Sequence, residues 1–313
     1  MYIHVSVLLG GRYRKGPAVA RAAVSTGVEL EFDTFGSSED PALLLVMGFT
    51  AQMTAWDVDF CRGLAERGYF VVRYDNRDCG LSTKFDGAAV DPMAVMAAAL
   101  SNEPLPPVPY TLSEMAADGI GLLDHLAIAR AHVVGASMGG MIVQMMAIEH
   151  PTRLRSMISI MSMTGDPEYG QASPEAMGAL LAAPPVERDA YIESADRWGI
   201  WASKKYGDPG EARVRAAESY DRSFYPEGGS RQLAAIFATG DRTERLRSVK
   251  APTLVIHGRD DTLIGPSGGV RTAEVIDGAH LLLMADMGHD LPKQLHPIYF
   301  DVMSSHMRWA DAR

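Results

Sequence analysis

The sequence predicts an α/β fold: a mostly parallel β-sheet covered by helices on both faces and interrupted once by a helical insertion. Three observations carry this. Short apolar runs alternate with helix-patterned segments over most of the chain, the rhythm of strand–helix–strand crossovers. The runs Ala42–Met47 (ALLLVM) and Thr253–His257 (TLVIH) show little polar alternation, as expected of strands buried on both faces. Between about residues 164 and 246 the rhythm stops; that stretch is polar, rich in Glu, Arg and Tyr, broken by Pro184-Pro185 and Pro226, and without a buried-strand pattern.

Residues 1–16 read as an N-terminal extension. Their apolar start is followed by Arg12, Arg14 and Lys15, the reverse of a signal-peptide order. Two β-like runs follow, Ala20–Ser25 and Val28–Thr34, with Thr26-Gly27 as a hairpin turn. After the strand Ala42–Met47, apolar positions Trp56, Phe60, Leu64 and Ala65 predict a helix over 54–67, stopped by Gly68. Tyr69–Tyr74 is the next strand. Residues 75–110 hold five prolines and read as loop. Thr111 and Glu114 form a capping-box pattern that opens a helix to about Leu126. His132–Gly135 reads as strand, Ser137–His150 as helix and Leu154–Ser162 as strand. Past the insertion come the strand Thr253–His257, a helix near 267–276, the strand His280–Met284 and an amphipathic helix over 291–309. The expected organisation is one core, 17–163 and 247–313, with a helical cap at 164–246.

Composition narrows the class of partner. Twenty-nine basic against 39 acidic residues give a net charge of -10, which disfavours a nucleic-acid face. No run of about 18 apolar residues predicts a membrane span. Cys61 and Cys79 form neither a disulfide framework nor a zinc pattern, which is compatible with a reducing compartment; the expectation is a cytoplasmic chain that can form a homo-oligomer.

Gly135-Ala136-Ser137-Met138-Gly139-Gly140 matches G-x-S-x-G, and so does Gly265-Pro266-Ser267-Gly268-Gly269. Context separates them. Ser137 follows a buried strand and opens a helix, the setting of a nucleophile elbow, whereas Ser267 sits in a turn-forming loop. The Met138 N–H then lies at a helix N-terminus and faces developing negative charge. Among nine histidines, His289 stands out, because Met287-Gly288-His289-Asp290 lies just past the strand His280–Met284. Catalytic groups on open parallel sheets collect beyond the carboxyl ends of strands. Asp260 and Asp261 follow the strand Thr253–His257, and spacing alone does not choose between them.

The order Ser137, Asp260 or Asp261, His289 differs from those of chymotrypsin and subtilisin. With Met47-Gly48-Phe49, the loop Asp75-Asn76-Arg77-Asp78-Cys79-Gly80-Leu81-Ser82, Pro252–Asp261 and Gly288-His289, the chain resembles the α/β-hydrolase-fold serine hydrolases. The resemblance is to the capped type that includes the aclacinomycin methylesterase-like esterases, and its motifs run from about residue 20 to 300. It implies Asp261 as the acid, the end of a G-x-x-D pattern. It also implies that the Phe49 N–H joins that of Met138 in an oxyanion hole, although Met47-Gly48 replaces the usual His-Gly. The Asp75–Ser82 turn is expected to be structural, with Arg77 paired to a backbone group or carboxylate.

The implied activity is hydrolysis of a carboxylic ester or lactone through an acyl-enzyme, with no metal or organic cofactor. Carbon–carbon bond hydrolases and cofactor-free perhydrolases use the same triad and are the alternative. Dinucleotide binding is disfavoured because Ser137 occupies the middle glycine position of G-x-G-x-x-G. Met163, beyond a strand end, and Trp198, Trp201 and Tyr225 in the insertion are the candidate substrate-binding residues. Their bulk suits a medium-to-large, weakly polar substrate.

Overall fold

A computed structural model describes residues 20–313. The extension expected at 1–16 lies outside the described residues. Eight strands form one sheet: β1 (Ala20–Ala23), β2 (Glu29–Phe35), β3 (Ala42–Val46), β4 (Phe70–Tyr74), β5 (Ala131–Ala136), β6 (Leu154–Ile160), β7 (Thr253–Gly258) and β8 (His280–Met284), in the order β1-β2-β4-β3-β5-β6-β7-β8. β1 and β2 pair antiparallel, as do β2 and β4. From β4 onward every neighbour is parallel. The Thr26-Gly27 hairpin is present, closed by Val24 and Val28.

Helices α1 (Val58–Ala65) and α11 (His296–Asp311) cover one face; α3 (Leu112–His125) and α4 (Met138–Glu149) cover the other. This explains the absence of polar alternation in β3. Leu44 and Val46 pack on the α3–α4 side while Leu43 and Leu45 pack on the α1–α11 side, all fully buried. α10 (Pro266–Val275) flanks β7 and β8.

The capping box at Thr111 and Glu114 forms as expected, with the Thr111 N–H donating to Glu114 Oε2 at 2.7 Å. The stretch 75–110 is not all loop: it contains α2 (Pro92–Leu100). Pro92 misled because it sits in the first helical turn, where a missing N–H costs nothing. Asp91 caps the same end, accepting from Met93 and Ala94 N–H. Between β6 and β7 come five helices, α5 (Pro174–Leu181), α6 (Arg188–Ser194), α7 (Pro209–Ser223), α8 (Glu227–Thr239) and α9 (Thr243–Leu246). Residues 164–246 hold no strand. Among the described residues no helix is long and apolar enough to cross a membrane.

The Asp75–Ser82 turn is a buried polar hub. Asp75 accepts from the Met53 and Leu81 N–H groups at 2.7 and 2.8 Å. Arg77 makes a two-pronged pair with Asp118 of α3, both bonds 2.6 Å. Asp78 receives Arg231 of α8 through two bonds of 2.8 and 2.9 Å and the Tyr110 hydroxyl at 2.7 Å. The turn thus joins sheet, α3 and insertion, the structural role expected for it. Arg77→Met strands the buried Asp118 carboxylate and is expected to cost about 3–5 kcal/mol in urea unfolding. A loss below 1 kcal/mol would contradict that role.

Candidate active site

Ser137 lies between β5 and α4 with φ 57° and ψ −122°, a left-handed conformation that costs a non-glycine residue about 1–3 kcal/mol. The surroundings hold it there. Its N–H donates to Ile160 O on β6 at 2.9 Å, and its carbonyl accepts from Ser162 Oγ at 2.8 Å and Gly140 N at 2.9 Å. The glycines of the motif have a steric reason: a Cβ on Gly135 would run into the Gly139 carbonyl, and one on Gly139 into the Val46 carbonyl. Only a bare backbone lets strand and helix come this close.

His289 Nε2 is 2.9 Å from Ser137 Oγ, and His289 Nδ1 is 2.8 Å from Asp261 Oδ2. A carboxylate only accepts, so Nδ1 carries the proton and Nε2 accepts from the serine hydroxyl. The three side chains come from the loops after β5, β7 and β8, all at the carboxyl end of the sheet. Asp261 is buried; its Oδ1 accepts from Leu263 and Ile264 N–H at 2.9 Å each, which aims Oδ2 at the imidazole. Burial pushes its pKa up, but His289 and His257 outweigh this and hold it at about 2. Asp260 makes no hydrogen bond to His289; its N–H donates to Met287 O at 3.0 Å and so ties the Asp261 loop to the His289 loop.

Gly48 presses on Ser137: a Cβ there would stand 2.9 Å from Ser137 Cβ. The Phe49 N–H follows Gly48 directly, and the Met138 N–H follows Ser137 at the start of α4. Among the described residues neither N–H has a protein acceptor. Such a pair can receive an oxyanion. The neighbouring Thr50 N–H donates to Gln232 Oε1 of α8 at 2.8 Å, and Gln232 Nε2 donates to Arg77 O at 2.9 Å. Gln232, fully buried, therefore fixes the Gly48–Thr50 loop from the insertion.

The four proposed substrate residues have different places. Trp201 comes next to the site through its backbone, its carbonyl accepting from the His289 N–H at 2.6 Å. Trp198 is half-buried in the same turn, and its carbonyl accepts from Trp201 and Ala202. Met163 packs against Gly170 and Gly268, with its carbonyl held by Arg242. The Tyr225 hydroxyl is spent on Asp86 and Arg231, both bonds 2.6 Å, so it ties the insertion to the core and offers no free donor to a ligand. Ser267 lies in the first turn of α10 rather than in a loop, because Pro266 is tolerated at a helix start, and its hydroxyl accepts from the Gly170 N–H at 2.9 Å.

Other contributors carry weaker sequence signals. His257 is buried in β7, donates to Ile264 O at 2.8 Å and stands 3.4 Å from Asp261 Oδ2. Its position in an apolar strand signals burial but not its neighbour. Asp290 adjoins His289 in sequence, yet nothing local marks it as an acceptor for the insertion. Neither cysteine rivals Ser137 as a nucleophile. Burial pushes the Cys61 thiol up to about 12 and the Cys79 thiol up as well.

The sequence profile of the alpha/beta hydrolase fold family matches residues 41–293. Rhodomycin D methylesterase of Streptomyces sp. strain C5 is 27% identical over 90% of this chain and 96% of its own. The 3-oxoadipate enol-lactonase 2 of Acinetobacter baylyi is 25% identical over 81% of this chain and 87% of its own. The crystal structure of the enol-lactonase from Burkholderia xenovorans LB400 superimposes with a TM-score of 0.71 at 23% identity, covering 92% of this chain and 100% of that one. The eight-stranded topology, the strained serine turn and the match across most of its length agree: this chain belongs to the alpha/beta hydrolase fold family.

Proposed function

We propose that the protein is a serine hydrolase that cleaves a carboxylic ester or lactone through an acyl-enzyme. The observation that carries this is the continuous chain Ser137 Oγ–His289–Asp261, with bonds of 2.9 and 2.8 Å. Ester and lactone hydrolysis by the two curated relatives supports the same reaction class.

In this reading, Ser137 Oγ attacks the carbonyl carbon as His289 Nε2 takes the hydroxyl proton. The carbonyl oxygen becomes an oxyanion held by the Met138 and Phe49 N–H groups, each worth about 3 kcal/mol in comparable sites. Asp261 fixes the imidazole tautomer and stabilises the imidazolium. The tetrahedral centre collapses, the C–O bond breaks, and the leaving alcohol takes the proton from His289. Water, deprotonated by His289, then attacks the acyl-enzyme; the acid departs and Ser137 recovers its proton. In a lactone the leaving alcohol stays on the product.

Residues 164–246 act in this reading as a cap, pinned to the core by Arg231–Asp78 and Gln232. The half-buried Trp198 and Trp201 suit a medium-to-large, weakly polar substrate. Both cysteines are free and buried, which supports a reducing, cytoplasmic setting. The test is turnover of p-nitrophenyl esters, methyl esters of polycyclic aromatic acids and six-membered lactones, beside a vinylogous diketone. Hydrolysis of a bulky methyl ester or a lactone is expected. Cleavage of the diketone alone would overturn the reading in favour of carbon–carbon hydrolysis.

A further inference from the structure

His289 follows β8, the edge strand, so its loop has a sheet neighbour on one side only. On that side Arg259 and Asp260 N–H groups donate to Met284 and Met287 carbonyls at 2.9 and 3.0 Å. The other side is supplied by the insertion. The His289 N–H donates to Trp201 O at 2.6 Å, and Ser203 Oγ donates to Asp286 O at 2.7 Å. The carboxylate of Asp290 divides its two oxygens: Oδ1 accepts from the Gly288 N–H of its own loop at 3.1 Å, Oδ2 from the Ser203 N–H at 3.0 Å. A Cβ on Gly288 would run into the Trp201 carbonyl, so the two segments touch backbone to backbone. One residue further back, Ile200 O accepts from Thr262 Oγ1 at 2.9 Å, next to the acid Asp261. A single four-residue stretch of the insertion therefore grips the loops of both acid and base.

We propose that residues 200–203 form a splint that holds the His289 loop in register, with Asp290 as a positioning residue for the base. His289 must keep both of its ring nitrogens in line at once, and a loop leaving an edge strand has no second strand to hold it. Burial pushes the Asp290 pKa up, opposed by its bonds to the Ser203 and Gly288 N–H groups, so the carboxylate is kept in place by the very bonds that make the splint. The insertion thus completes the catalytic geometry as well as covering it. This rests on the hydrolase reading above.

The test measures kcat and KM for p-nitrophenyl acetate, too small to need the insertion for binding, and the rate of Ser137 labelling by a fluorophosphonate. Asp290→Ala is expected to lower kcat by about 10- to 100-fold, the scale of a misplaced catalytic group, with KM changed less than twofold. Labelling slows by the same factor, and the acid limb of the kcat/KM profile moves. Asp290→Asn, which keeps one acceptor, recovers part of the loss. Gly288→Ala, which wedges the segments apart, repeats the Asp290→Ala effect. Lys205→Ala, which removes an exposed ion pair to Asp286 at the rim and a contact over the Tyr206 ring, leaves kcat unchanged. The splint is overturned if Asp290→Ala and Gly288→Ala lower the melting temperature while kcat per labelled serine stays at the wild-type value. Failure of the hydrolase reading is distinguishable. It would appear as a wild type that turns over no ester, while labelling rates, which need only Ser137 and His289, still compare wild type with variant.

Discussion

Ser137→Ala is expected to lower ester turnover by about 10⁶-fold, the scale seen when the nucleophile of a serine triad is removed. The hydroxyl is the only atom lost, so circular dichroism and urea unfolding should remain close to wild type. Alanine keeps the Cβ and with it the backbone strain at φ 57°, which the Ile160, Ser162 and Gly140 bonds continue to hold. Steady-state turnover of a p-nitrophenyl ester, normalised by fluorophosphonate labelling of the wild type, makes the measurement. A variant that keeps more than a hundredth of the activity would remove Ser137 from the chemistry. Neither cysteine is poised to replace it, since burial holds the thiols of Cys61 and Cys79 in their protonated form.

Asp261→Asn is expected to lower kcat by about 10⁴-fold with the fold intact, because an amide at Oδ2 can donate to the imidazole and reverse its tautomer. The same carboxyl has a signature in stability. In the folded protein its pKa is about 2, whereas in the unfolded chain it returns to about 3.9. A depressed folded value means the unfolded state binds the proton more readily. The contribution, about 2–3 kcal/mol, is therefore complete above about pH 5 and is lost as the pH falls through 4 toward 2 and below. Urea unfolding of wild type and Asp261→Asn between pH 2 and 6 checks this. The stability difference between them should shrink through that window on acidification. A difference that is flat with pH would show that His289 and His257 do not stabilise the carboxylate.

Much of the site was legible in the sequence because each of its three functional residues follows a strongly patterned strand. The buried runs 131–136 and 253–258 and the apolar, largely exposed edge strand 280–284 fix where the chain turns at the carboxyl end of the sheet, so Ser137, Asp261 and His289 fall on one side although 152 residues separate the first from the last. The glycines of the serine turn are equally local in origin, since close approach of strand and helix excludes a Cβ. The helix α2 was hidden because its proline sits where proline is harmless, and composition cannot distinguish that position from a loop.

The insertion was legible as helical but not in its contacts. Its longer helices α7 and α8 are amphipathic, which says that a face is buried but not against what. Arg231 on Asp78, Gln232 on the Gly48–Thr50 loop and Ser203 on Asp290 join residues 87 to 182 positions apart. Tyr225 illustrates the difference: an aromatic in a cap reads as a wall for substrate, yet its hydroxyl is a tether. By itself the sequence determined the sheet, the serine turn and the end of the sheet at which the chemistry lies, because strand patterning and steric limits on the backbone act over a few residues. Only the tertiary structure decided that the insertion grips both the acid and the base loops, because hydrogen bonds between distant segments depend on where three-dimensional packing brings them, and no local pattern records that.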